Sequence, residues 1–134
     1  MDLKDVLARA WGQVDDRKDV DCLDEYFAPD FVRHGRKDYS REDFKELVRE
    51  LYVGFPDLQR TTLDMVQEGD RVAYRWETRG THLGPFQGAL PTGRPIRTHG
   101  ITISRFENGL IVEDWASWNE LSLLHDLGIL PIDR

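Results

Sequence analysis

The chain has 134 residues, 40% of them hydrophobic and 32% charged, which suits one globular domain with its own core and not a disordered chain. The formal net charge is −7, and the arginines are scattered, so no basic patch offers a nucleic acid a footing. No apolar run approaches the roughly 20 residues needed to span a bilayer, so no membrane partner is expected. The opening MDLKDVLARAW carries spaced charges rather than the unbroken apolar stretch of a signal peptide, which points to a cytoplasmic location. Cys22 is the single cysteine; no internal disulfide is possible, and it reads as a small buried hydrophobe on a helix. His34, His82, His99 and His125 have no close metal-ligand spacing, so no zinc site is expected.

In chain order, Leu3, Val6, Leu7, Ala10, Trp11 and Val14 keep the spacing of one helical face. A shorter helical stretch follows with Val20, Leu23, Tyr26 and Phe27 on one side, stopped by Pro29, and Phe31 to His34 reads as a short strand. Ser40 caps a third helix, with Asp43 favourably placed in its first turn. Its apolar stripe is Phe44, Leu47, Val48, Leu51 and Tyr52, and Gly54 and Pro56 end it.

Beyond Pro56 the period changes from 3.6 to 2. Leu58 to Val66 is a plausible strand, closed by the Glu68-Gly69-Asp70 turn. Arg71 to Thr81 alternates, with Val72, Tyr74, Trp76 and Thr78 on one face and Arg71, Arg75, Glu77 and Arg79 on the other. Ile96 to Phe106 is a long strand, Asn108-Gly109 a two-residue hairpin signal, and Leu110 to Asn119 the last strand. Leu121 to Leu127 is a short helical turn ending at Gly128. Helices first and strands afterwards predict an α+β domain, with a curved antiparallel sheet wrapped around the N-terminal helices and an internal pocket.

The stretches GDRVAYRWETRGTHLGPFQGALPTGRPI, GITISRFENGLIVEDW and LLHDLGILP, with LDEYFAPDFVRHG and FPDL before them, follow one another in an order that resembles the SnoaL-like polyketide cyclase and ester cyclase family, within the nuclear-transport-factor-2-like superfamily. The resemblance covers nearly the whole chain, so residues 1–134 are expected to form a single SnoaL-like domain. It implies a cone-shaped α+β barrel and acid–base chemistry in an apolar cone, without metal or organic cofactor. It also implies a homodimer packed sheet to sheet.

In such cyclases a catalytic aspartate faces the cavity from the last long strand, and the alignment of GLIVEDWASWNEL with that strand puts Ala116 at the aspartate's position. A methyl group cannot move a proton. Alternation places Asp114 and Trp118 on the same face as Ala116. Asp114 there is a candidate acid or base with its pKa raised by desolvation, or else a strand-end carboxylate solvated or paired with an arginine. The resemblance puts His34 at a cavity position, where it could trade protons near neutral pH; a backbone-bonded loop histidine is the other reading. Asn119 could cap the final helical turn or bond a ligand.

Tyr74 and Trp76 are core or pocket wall, and Tyr74 could give a hydroxyl to a ligand oxygen. Thr102 either holds a carbonyl oxygen, as the resemblance implies, or is a routine strand former. Tyr52 and Phe55 have helix-face spacing suited to core or pocket wall, and Trp118 joins Ala116 in facing the cavity. His99, Ile101, Ile103, Ile111 and Trp115 form an outer apolar face that seeks a second copy. His82 is expected near the mouth and His125 in solvent.

The sequence therefore supports a cofactor-free enzyme on a small, largely apolar substrate, with His34 and Asp114 as the proton-handling pair. Loss of the acid at Ala116 supports instead a non-catalytic binder of such a molecule. Isomerase, dehydratase or epoxide hydrolase chemistry of the same superfamily, or an interaction module built on the outer sheet, are further alternatives.

Overall fold

A computed structural model describes residues 2–128. The sequence readings at residue 1 and at 129–134, including the end of LLHDLGILP, lie outside the described residues. Helix α1 spans Leu3–Arg17 and starts at Asp2, whose carboxylate accepts from the Lys4 amide. It buries Leu7, Ala10, Trp11 and Val14, the face given by their spacing. The next stretch is a 3₁₀ helix, Val20–Glu25, which buries Cys22 as a small apolar group.

Strand β1 runs Phe27–His34, so it starts earlier than the sequence indicates and contains Pro29. A register irregularity between Phe27 and Val32 accommodates the proline, which cannot donate to a ladder. The short β2 (Asp38–Ser40) pairs back onto β1. Ser40 then caps α2 (Arg41–Gly54) in a full capping box, with the Asp43 amide donating to the Ser40 hydroxyl and the Ser40 amide donating to the Asp43 carboxylate.

Strands β3 (Gln59–Glu68), β4 (Arg71–Thr81), β5 (Pro95–Glu107) and β6 (Leu110–Trp118) are an antiparallel meander, followed by α3 (Glu120–Asp126). Asn108 and Gly109 turn β5 into β6 with φ of 52° and 79°, the left-handed conformations the dipeptide favours. Asn119 is the N-cap of α3, its carbonyl accepting from the Ser122 amide.

The sheet order is β2-β1-β6-β5-β4-β3. β1 lies parallel to β6, so the curved, unclosed sheet is mixed, where the sequence led to an antiparallel one. Strand direction does not show in a strand's own alternation; it is set here by the α2 excursion between β1 and the meander.

A larger core joins α1, α2 and the concave sheet face around Phe27, Phe31, Phe44 and Trp11. A smaller one gathers Phe55, Leu58, Phe86, Ile96, Leu123 and Leu127. Ile111 belongs to the larger core rather than to the outer face. A bulge in the β5–β6 ladder pairs Ile111 with Phe106 and Glu113 with Arg105, leaving Val112 as the extra residue and reversing the parity of everything before it.

Candidate functional site

Between the concave sheet face and α1 and α2 lies a cavity of about 440 Å³. Its walls are largely apolar: Trp11 from α1, Leu47, Val48 and Leu51 from α2, and Tyr74 and Trp76 from β4. Trp76 donates its indole N–H to the Thr102 hydroxyl at 2.9 Å, and the hydroxyls of Thr78 and Thr98 share a hydrogen bond of 2.5 Å one rung along. Gly100 shapes this wall by having no side chain: a Cβ there would stand 2.6 Å from both Trp76 and Trp118.

One buried polar assembly borders the cavity. On β1, Phe31 and Arg33 share the inward face, and Arg33 lines the cavity. Its guanidinium lies 4.5 Å above the Phe44 ring and donates to Asp114 at 2.9 Å. The other Asp114 oxygen accepts from the Ser104 hydroxyl at 2.5 Å. Asp114 has no exposed surface. Burial pushes its carboxyl above the ordinary value, and the Arg33 cation and the Ser104 hydroxyl pull against that shift. The neighbouring Tyr74 phenol is raised as well, by burial first and then by the charge of Asp114.

A second guanidinium, that of Arg60 on β3, lies against the cavity 4.1 Å over the Trp11 ring. At the mouth stand Arg36, Tyr39, Gln87, Trp118 and Glu120, with Arg36 and Glu120 3.9 Å apart. Glu120 is the one carboxylate among the lining residues described. Among the described residues no group of three or more His, Cys, Asp or Glu could hold a metal ion. A shallow, open depression of about 580 Å³ between Asp57, Arg79, Arg97 and Asp126 lies outside the sheet's concave face. It encloses nothing, so the chemistry is placed in the cavity.

Of the residues named from sequence, Tyr74, Trp76 and Trp118 line the cavity. Thr102 is fully buried behind Trp76 as its hydrogen-bond acceptor, and Asp114 lies behind Arg33. Tyr52 and Phe55 do not line it. Tyr52 donates to Asp15 at 2.6 Å on the α1 side, and Phe55 is wholly buried in the smaller core.

His34 and Asp114 are not brought together. His34 pairs with Trp115 in register, stacks on that ring at 5.6 Å, and bonds Asp38 at 2.9 Å and Glu113 at 2.6 Å, all on the convex face. Asp114 points the other way, because adjacent strand residues face opposite sides. The hydrogen bonds to Asp38 and then Glu113 raise the His34 pKa above 6.5. His82 is also away from the mouth, fully buried beside Phe55 and bonded to Thr92. Arg33, Arg60 and Glu120 went unremarked in the sequence. For Arg33 a signal existed, since it falls two residues after the core residue Phe31.

The SnoaL-like polyketide cyclase family model matches residues 5–127. The chain belongs to the SnoaL-like polyketide cyclase family.

Among solved structures in this fold, IdmH of Streptomyces antibioticus, a proposed polyketide cyclase, is 33% identical, with a TM-score of 0.82 over 96% of this chain and 99% of its own. AclR of Streptomyces galilaeus, a proposed hydroxylase, is also 33% identical, with a TM-score of 0.81 over 96% of this chain and 79% of its own. TsrD of Streptomyces laurentii is 26% identical, with a TM-score of 0.85 over 97% and 99%. No curated protein matches the chain. Two relatives equal in identity carry different activity names, so SnoaL-like membership fixes the scaffold and leaves the reaction to the cavity's own residues. In this member Ala116 lines the cavity, and the carboxylate nearest to it along β6, Asp114, is already occupied by Arg33 and Ser104.

Proposed function

We propose that this chain binds a small, largely apolar, oxygen-bearing molecule of the polyketide type in the cavity and promotes its cyclisation by proton transfer without a cofactor. The observation that carries the reading is the Arg33–Asp114–Ser104 assembly at the border of a largely apolar cavity. A guanidinium held by a buried carboxylate is a fixed cation, and a fixed cation in a water-poor site stabilises an enolate oxygen as it develops. Asp114 is then a positioning residue, not the base. Glu120, on the first turn of α3 and 3.9 Å from Arg36, is the lining carboxylate that takes a proton from carbon, in place of the residue missing at Ala116.

A direct test uses ethyl benzoylacetate, whose methylene lies between two carbonyls. In D₂O the wild type should accelerate deuterium exchange at that carbon by about a hundredfold, the scale of general acid–base help. Glu120→Gln should lose most of that, while still binding the ester. Exchange unchanged by the protein would favour the second reading, a non-catalytic binder, for which the specific support is the methyl group of Ala116 facing the cavity.

A further inference from the structure

Arg60 sits against the cavity with its side chain only 12% exposed, yet its guanidinium makes no hydrogen bond among the described residues. Its nearest carboxylate, Asp15, forms a long ion pair with it at 3.9 Å, without a hydrogen bond, and already accepts from Tyr52 at 2.6 Å. The ring it covers, Trp11, has a buried indole N–H whose neighbour is the Tyr74 hydroxyl, with no acceptor at hydrogen-bond distance. A polar group kept from its hydrogen bonds is costly, and a guanidinium facing a cavity without one can take an acceptor from a ligand. Arg33 differs, since it already donates to Asp114 at 2.9 Å. The lining residues described include three arginines and one carboxylate, and that carboxylate faces Arg36 at the mouth. Asp114 offsets Arg33 and Glu120 faces Arg36, which leaves Arg60 as the lining guanidinium that donates no hydrogen bond among the described residues.

We propose that Arg60, stacked on Trp11, is a binding site for an anionic oxygen group of the ligand, a carboxylate or a stabilised enolate, so that the cavity selects acidic apolar molecules over neutral ones. A carboxylate matches the planar fork of a guanidinium with two parallel hydrogen bonds, which a neutral amide cannot do. The apolar remainder of the ligand then lies along Leu51, Tyr74 and Trp76. This inference rests on the reading of the cavity as a ligand site and adds which class of ligand enters it.

The test compares 2-naphthoate with 2-naphthamide, a pair of the same shape differing in charge, by isothermal titration calorimetry on the full chain at pH 7. The naphthoate should bind at least about tenfold more tightly. Arg60→Gln should abolish that preference and leave the naphthamide affinity within about threefold, while Arg60→Lys, which keeps the charge but not the fork, should retain part of it. Equal binding of the two probes to the wild type overturns the anion site and leaves the apolar cavity standing. Failure of both probes to bind overturns the cavity reading as well. The wild-type comparison needs no variant to fold. A preference that survives in a folded Arg60→Gln protein would assign the site elsewhere and refute Arg60.

Discussion

Replacing Asp114 with alanine would remove both acceptors of the buried assembly at once. Arg33 would keep its charge at 13% side-chain exposure with no counterion, and the Ser104 hydroxyl would lose its partner. Breaking a buried ion pair from one side costs about 3–5 kcal/mol. For a domain of this size each kcal/mol moves the melting point by about 3–4 °C, so the midpoint should fall by roughly 10–20 °C. Arg33→Met should cost a similar amount near neutral pH, and part of that loss should be recovered as the pH falls. With the cation gone the Asp114 carboxyl is raised further, and once protonated it needs no counterion. The Arg33→Met/Asp114→Leu double variant should lose only about 1–2 kcal/mol, chiefly for the stranded Ser104 hydroxyl. Urea unfolding of the four proteins gives the coupling directly. Single variants that each cost under about 1 kcal/mol, or a double variant that costs their sum, would refute the description of Arg33 as a cation held by Asp114.

Two further expectations concern the convex face. His34 should titrate above 6.5 by NMR, and Glu113→Gln should lower that value, since the bonds to Asp38 and Glu113 favour the charged ring. Because its folded pKa is raised, the stabilisation is complete below 6.5 and is lost as the pH climbs through the folded value. A His34 resonance titrating at or below 6.5 would contradict the clamp. The same face aligns Val66, Ala73, Ile103 and Trp115 in one row across four strands, with Ile101 half exposed beside it. If a second copy covers this row, Ile103→Lys should shift the chain to monomers on a sizing column, and an unshifted elution volume would count against that interface.

Much of the fold was legible because the relevant signals are local. The Ser40 cap, the Asn108-Gly109 turn and the alternation of Tyr74, Trp76 and Thr78 each depend on a few adjacent residues. What was not legible depends on parity and on pairing. His34 and Arg33 differ by one position, and that single step decides which enters the cavity and which meets Glu113 outside. Ile111 reads as an outer-face partner of Trp115 until the extra residue Val112 reverses its side. Arg60 hides for the same reason: it lies in a strand of mostly exposed residues whose register shifts between Thr62 and Asp64. Glu120 looks like an ordinary acidic residue at a helix start, and only the fold shows that this helix start lies against the cavity.

The chain has four tryptophans, and they divide the molecule conveniently. Trp11, Trp76 and Trp118 line the cavity, while Trp115 lies on the convex face beside His34. Their indole N–H signals can be followed by NMR as 2-naphthoate is added. The account predicts that the signals of Trp11, Trp76 and Trp118 move together along one binding isotherm while that of Trp115 stays in place. Movement of Trp115 with the other three unmoved would put the ligand on the outside of the sheet and contradict the cavity as the functional site.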